Sequence, residues 1–240
     1  MAVDRSAGTQ QSAPPPLLIS VHMPKTAGSS LRAALQSAFG QGFQPDNDDR
    51  PLHMSRPRRE LNALRAGLKL AVHGGVPAHV SCIHGHFLAL KYLALTLLPR
   101  EVRFACWLRD PVERVASHYR YWMNNRDGSD LPALHRRVVE EDWTLERFCL
   151  AHDLRNLYCQ FLFGFPRGLL SFVGITERTG TDYTRLRERY LGGRGPDELP
   201  RVNLGTEGGA RHIDEGPFRR RVEAFHSRDV ALYRYYLRRS

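Results

Sequence analysis

Leu17-Leu18-Ile19-Ser20-Val21-His22-Met23-Pro24-Lys25-Thr26-Ala27-Gly28-Ser29-Ser30 is the stretch on which the fold turns. Its first five residues form a short apolar run of the kind a parallel sheet buries on both faces. From Ser29 to Phe39, the residues Leu31, Ala34, Leu35 and Ala38 recur at helical spacing, and Gly40 ends the pattern. A strand, a tight loop and a helix in direct succession open an α/β unit. The loop between them suits an anion. N–H groups at a helix start have no partner within the helix, Gly28 permits close backbone approach, and Lys25 with the hydroxyls of Thr26, Ser29 and Ser30 adds donors. Taken alone, an ordinary capped helix start accounts for the same residues.

Outward from this unit the alternation continues. Glu60 to Leu70 reads as a short helix, Val80-Ser81-Cys82-Ile83 as an apolar strand running into His84-Gly85-His86, and Leu88 to Leu98 as a further helix. Val102 to Leu108 is the next clear strand, after which Asp110 stands as N-cap and Pro111 at the first helical position of a helix reaching towards Gly128. Helices are expected over Leu131 to Glu140, Leu145 to Ala151 and Leu154 to Phe163. A late strand spans Ser171 to Ile175, a helix Tyr183 to Leu191, and a basic amphipathic helix Pro217 to Arg238. Gly42 to Arg59 reads as a solvated excursion and Gly192 to Gly216 as loop. Strands alternating with helices, without hairpin signals, predict an α/β, P-loop-NTPase-like three-layer fold with a central parallel sheet and helices on both faces. In such sheets ligands bind beyond the carboxyl ends of the strands.

The chain has 240 residues, 42% of them hydrophobic, which is enough for one full core. The expected organisation is a disordered tail over residues 1–16 and a single domain over 17–240. Lys and Arg number 35 against 25 Asp and Glu, for a formal charge of +10. That excess points to anionic partners, or reflects an arginine-rich composition, since Lys25, Lys69 and Lys91 are the only lysines. The four cysteines show no C-x-x-C spacing and read as reduced, buried thiols. The first residues lack the apolar core of a signal peptide, and no stretch approaches the ~18 apolar residues of a membrane span. The expectation is a soluble, cytoplasmic protein.

The loop is not a Walker A motif, which would require glycines where Ile19 and Pro24 stand. Its shorter form suits one 5′-phosphate carrying a leaving group better than a triphosphate with Mg²⁺. A second anion site follows the strand ending at Leu108: Arg109-Asp110-Pro111-Val112-Glu113-Arg114-Val115-Ala116-Ser117 opens a helix, and a guanidinium with a hydroxyl can grip another phosphate. Alone, this segment could equally be a structural Arg-Asp pair.

His22-Met23-Pro24-Lys25-Thr26-Ala27-Gly28-Ser29-Ser30 resembles the 5′-phosphosulfate loop, H-x-P-K-[TS]-[AG]-x-[TS]-[ST], of the carbohydrate sulfotransferase family that includes the heparan sulfate 2-O-sulfotransferases. Arg109 to Arg114 with Ser117 resembles the same family's 3′-phosphate motif. Weaker similarity extends to Asn156–Gly164 and Val173–Arg178, so the resemblance spans Leu17 to about Arg178. It implies 3′-phosphoadenosine 5′-phosphosulfate (PAPS) as sulfuryl donor, 3′-phosphoadenosine 5′-phosphate (PAP) as product, and no metal. It also implies that Pro24, Lys25, Thr26, Ala27, Gly28, Ser29 and Ser30 hold the 5′ end, with Lys25 on the leaving phosphate, while Arg109 and Ser117 hold the 3′-phosphate. His84-Gly85-His86 matches the family's catalytic histidines, which assigns His86 as general base and His84 as a supporting donor or orienter. The chemistry agrees, because an attacked hydroxyl must lose a proton and imidazole titrates near neutrality. Two histidines without a third ligand do not suggest zinc.

The resemblance suggests a saccharide hydroxyl as acceptor; the missing membrane anchor departs from the Golgi-resident relatives, and a bacterial-type enzyme acting on a glycan, a glycolipid or a small metabolite fits equally. Arg56, Arg58 and Arg59 offer charge for an anionic acceptor, and Asn203 and Thr206 lie where a nucleotide-covering loop would fit. The rival readings are a P-loop-type kinase, which lacks the Walker glycines, and a nucleic-acid-binding protein using the arginine-rich C-terminal helix, which matches no binding module.

Overall fold

Along β1 (Leu17–Val21), Leu17, Ile19 and Val21 enter one hydrophobic cluster and Leu18 enters another, and all five residues are buried. A strand apolar on both faces requires a layer on each side. The computed structural model describes residues 15–128, 130–200, 202 and 213–239, and it supplies both layers.

After β1 come α1 (Gly28–Phe39), β2 (Phe43–Pro45), α2 (Arg56–Val72), β3 (Cys82–Gly85), a 3-10 segment (Ala89–Leu97), β4 (Val102–Leu108) and α3 (Pro111–Asn124). Then follow α4 (Ala133–Glu140), α5 (Leu145–Cys149), α6 (Leu157–Phe161), β5 (Leu170–Ile175), α7 (Thr179–Tyr190), α8 (Pro217–Phe225) and α9 (Ser227–Leu237). The sheet is parallel throughout, in the order β2-β3-β1-β4-β5. One face packs on α1 and α7 through Leu31, Leu35, Tyr183 and Leu186. The other packs on α6, α9 and the 3-10 segment through Leu157, Phe161, Leu232 and Tyr92. A third cluster, with Val115, Trp122, Phe148 and Val222, joins α3 to α4, α5 and α8.

Several elements depart from the sequence expectations, each for a physical reason. Gly42 to Arg59 is not wholly an excursion, because Phe43-Gln44-Pro45 pairs with Cys82 to His84 as the edge strand. Three residues cannot display a two-residue period, and Pro45 is tolerated at an edge. Arg59 is not available to an acceptor: it is buried and donates to the Pro51 carbonyl and to Gln160 Oε1. Arg56 and Arg58 are exposed. Ala89–Leu97 is 3-10 rather than α; Ala89, Tyr92 and Leu95 are buried at the three-residue spacing of that helix. β3 includes His84 and Gly85, so the first histidine lies within the strand.

The C-terminal helix is two helices, parted at His226. That imidazole is buried, donates from Nε2 to the Cys149 carbonyl at 2.9 Å and accepts the Asn156 N–H on Nδ1 at 3.1 Å. Its basic face is partly turned inward, with Arg219 paired to Asp110 and Glu113. Of the expected tail, residues 1–14 lie outside the described residues, while the Pro15 carbonyl accepts from Arg100 Nε at 2.8 Å. Asn203 and Thr206 also lie outside the described residues. No helix among the described residues is long and apolar enough to cross a membrane. Cys82, Cys106 and Cys149 are buried free thiols, and Cys159 is a half-buried one.

Candidate active site

Strand register brings the motifs to one edge. Val21, the last residue of β1, lies opposite Gly85 on one side and Cys106 on the other. The His22 N–H then continues the ladder to the Gly85 carbonyl at 2.8 Å. The Lys25 loop therefore emerges between His84-Gly85-His86 and Arg109.

Lys25 and Ala27 both adopt left-handed backbone conformations, at φ 68° and 61°. For residues with a Cβ this costs on the order of 1–2 kcal/mol each, a strain that concentrates at functional loops. No side chain caps α1, so its first turn presents amides towards the loop. At Gly28 a Cβ would lie 1.6 Å from His22 Nε2; only glycine lets the helix start under that ring. Thr26 turns inward and donates to the Met23 carbonyl at 2.8 Å, so its hydroxyl shapes the loop. Ser29 is exposed, whereas Ser30 Oγ accepts from the Val202 N–H at 3.2 Å. The Lys25 ammonium sits 4.3 Å from the centroid of the Tyr121 ring. Its pKa is lowered from 10.5, first by burial and then by the Arg109 and Arg120 guanidiniums. The loop and the second motif thus share one electropositive field.

Three imidazoles pack together where the loop meets the end of β3. His22 stacks on His86 at a centroid distance of 4.0 Å and on His84 at 5.0 Å. His86 Nδ1 lies 2.8 Å from the His22 carbonyl, an acceptor, which assigns the ring proton to Nδ1 and leaves the Nε2 lone pair for other use. The His86 N–H donates to Asn47 Oδ1 at 3.1 Å. Burial lowers the His86 pKa, against the contact with the His22 carbonyl, so the ring is neutral near pH 7. His84 is buried and contacts Ser20 Oγ at 2.9 Å through Nδ1, and burial drives its pKa down to about 3. Its Nε2 lies beside the Gly28 backbone but within hydrogen-bonding geometry of no group among the described residues.

On the other side, Asp110 caps α3 as expected, accepting from the N–H groups of Val112 at 2.9 Å and Glu113 at 3.1 Å. The Asp110 N–H donates to Glu177 Oε1 at 2.8 Å. Arg109 is held by the Tyr158 hydroxyl, which accepts the Arg109 N–H at 3.0 Å and donates to its carbonyl at 2.8 Å. Ser117 lies further along α3 and is half-buried.

Sequence reasoning quoted His22 and Tyr158 without giving either a role. His22 could have been found from its place directly ahead of the loop, two positions before Pro24. Tyr158 and Tyr121 carried no such signal, because their contacts depend on how distant helices pack.

No family model matches the chain, and no curated protein matches it in sequence. In three dimensions it is similar to the crystal structure of a sulfotransferase from Alicyclobacillus acidocaldarius, with a TM-score of 0.50 and 17% identity, over 94% of this chain and 96% of that one. At this identity the likeness speaks for the fold.

Proposed function

We propose that the chain is a sulfotransferase that moves a sulfuryl group from PAPS to an acceptor hydroxyl, with His86 as general base. One observation carries the reading. Neighbouring strand ends bring together a neutral imidazole with a free nitrogen, an uncapped helix start bearing a lysine, and an arginine at a second helix start. The likeness of the whole fold to a protein named as a sulfotransferase supports it.

The donor set fits such a nucleotide: it is cationic, and α1 starts without a side-chain cap on its first N–H groups. In the reaction the acceptor oxygen forms a bond to sulfur as the bridging S–O bond breaks, with the bond electrons leaving on the 5′-phosphate. Lys25 and the amides at Gly28, Ser29 and Ser30 stabilise the charge that develops there. Arg109 and Ser117 hold the 3′-phosphate, the guanidinium supplying a fork of donors. His86 Nε2 takes the acceptor proton, and His84, wedged against Ser20, backs the imidazole stack that orients it. The acceptor is a hydroxyl of a saccharide, a glycolipid or a small metabolite.

Calorimetric titration tests the donor. PAP is expected to bind without a metal ion, and Arg109→Ala to lose that binding. Preference for Mg-ATP over PAP would overturn the reading.

A further inference from the structure

We propose that Tyr158 is a positioning residue for the 3′-phosphate: its hydroxyl fixes the backbone of Arg109, and the junction of α6 with α9 fixes Tyr158. This rests on the donor reading above, in which Arg109 holds that phosphate.

The paired ladder of β4 with β5 ends at Leu108 opposite Ile175. Arg109 is the first residue beyond it, where a backbone is free to drift unless something else holds it. One phenol does so from both sides, accepting the N–H and donating to the carbonyl of the same residue. Tyr158 is fully buried, while Arg109 is half-buried, so the phenol holds the half-exposed backbone from the inside. Its ring cannot tilt freely, because the buried Arg114 guanidinium sits 5.7 Å from the ring centroid.

The Tyr158 backbone is tied down in turn. Its N–H donates to Asp229 Oδ2 at 2.9 Å and the Cys159 N–H to Asp229 Oδ1 at 3.0 Å, so a carboxylate from α9 caps α6. In the opposite direction Asn156 Oδ1 accepts the N–H groups of Arg228 at 3.1 Å and Asp229 at 3.2 Å, so the N-cap of α6 also caps α9. Each helix start is capped by the other helix. A rigid path runs from this junction through the phenol to the residue whose side chain forks the phosphate. Forked recognition tolerates displacements of only about half an ångström. Tyr158 itself touches no atom of the nucleotide in this scheme, and it acts through Arg109.

The test compares PAP with adenosine 5′-monophosphate, which lacks the 3′-phosphate. In Tyr158→Phe, which keeps the ring and removes the hydroxyl, PAP affinity is expected to fall about tenfold while the monophosphate binds within twofold of wild type. In Arg109→Lys, which keeps a cation but not the fork and so leaves weakened binding to measure, adding Tyr158→Phe is expected to cost no further PAP affinity. Unchanged PAP affinity in Tyr158→Phe, an equal fall for both nucleotides, or additive losses would each overturn the proposal while leaving the donor reading intact. Failure of the wild-type chain to prefer PAP over the monophosphate would overturn both. Should Tyr158→Phe not fold, 3-fluorotyrosine at position 158 gives a second readout. Its ¹⁹F resonance is expected to shift with PAP and not with the monophosphate, and no shift with PAP would overturn the proposal.

Discussion

The N–H of His86 is committed to Asn47 and its Nδ1 to the His22 carbonyl, so the ring's orientation and tautomer are set before any acceptor arrives. His86→Ala is expected to lower turnover by about 10²-fold or more while PAP affinity stays within twofold; undiminished transfer would remove His86 from the base role. A base must be neutral to accept a proton, and burial holds this imidazole's pKa below 6.5. The acid limb of kcat/KM should therefore fall below pH 6.5, and an acid limb centred above it would place the base elsewhere. Lys25 has a lowered pKa as well, so as pH rises its charge is lost earlier than that of an ordinary lysine, and the alkaline limb should come earlier too. Gly28→Ala tests the stack directly. The added methyl would displace the His22 ring, and a loss of turnover on the order of 10²-fold is expected with little change in Tm, since a side chain can yield where a backbone cannot.

At the scale of elements, the exchange of caps between α6 and α9 is the junction to probe. Asn156→Ala strips the acceptor from two N–H groups of α9 and should cost about 2 kcal/mol in urea denaturation. Asp229→Ala should cost more, because it strips the acceptor from two N–H groups of α6 and also removes a buried carboxylate that interacts with the buried Arg114. The double variant should cost less than the sum, and strict additivity would show that the two caps act independently. None of this was legible in sequence. Asn156 and Asp229 are ordinary polar residues far apart in the chain, and α6 is too short to declare its ends. The cap of α3 was legible, because Asp110 and Pro111 act on their own neighbours. β2 was hidden for a related reason: its place is decided by β3 and by Gly85, where a Cβ would meet the Asp46 carbonyl oxygen at 1.6 Å.

For the whole molecule, the sheet and its layers could be read from Leu17–Val21 and Val102–Leu108 because a buried parallel strand carries its environment in its own composition. The order of the strands, and hence which motifs become neighbours, is a property of packing. Stability against pH belongs to this scale too. His84, His118 and His226 are all at most 2% exposed, and burial lowers their pKa values from 6.5, to about 3 for His84 and about 4 for His226. The unfolded chain binds protons at these sites first. Their contribution is therefore complete above pH 6.5 and lost as pH falls towards 4, with a limiting slope of about 1.4 kcal/mol per pH unit for each site. Urea midpoints measured across pH 4 to 7 should rise with pH, and a flat profile would contradict the neutral burial of these rings. The exchanged caps also bear on biosynthesis. A nascent chain that has emerged past β5 already holds every strand of the sheet found among the described residues, yet the amide of Tyr158 still lacks its carboxylate until residue 229 leaves the ribosome. On the proposed reading, the support for the 3′-phosphate grip is thus completed only after the described strands have been made.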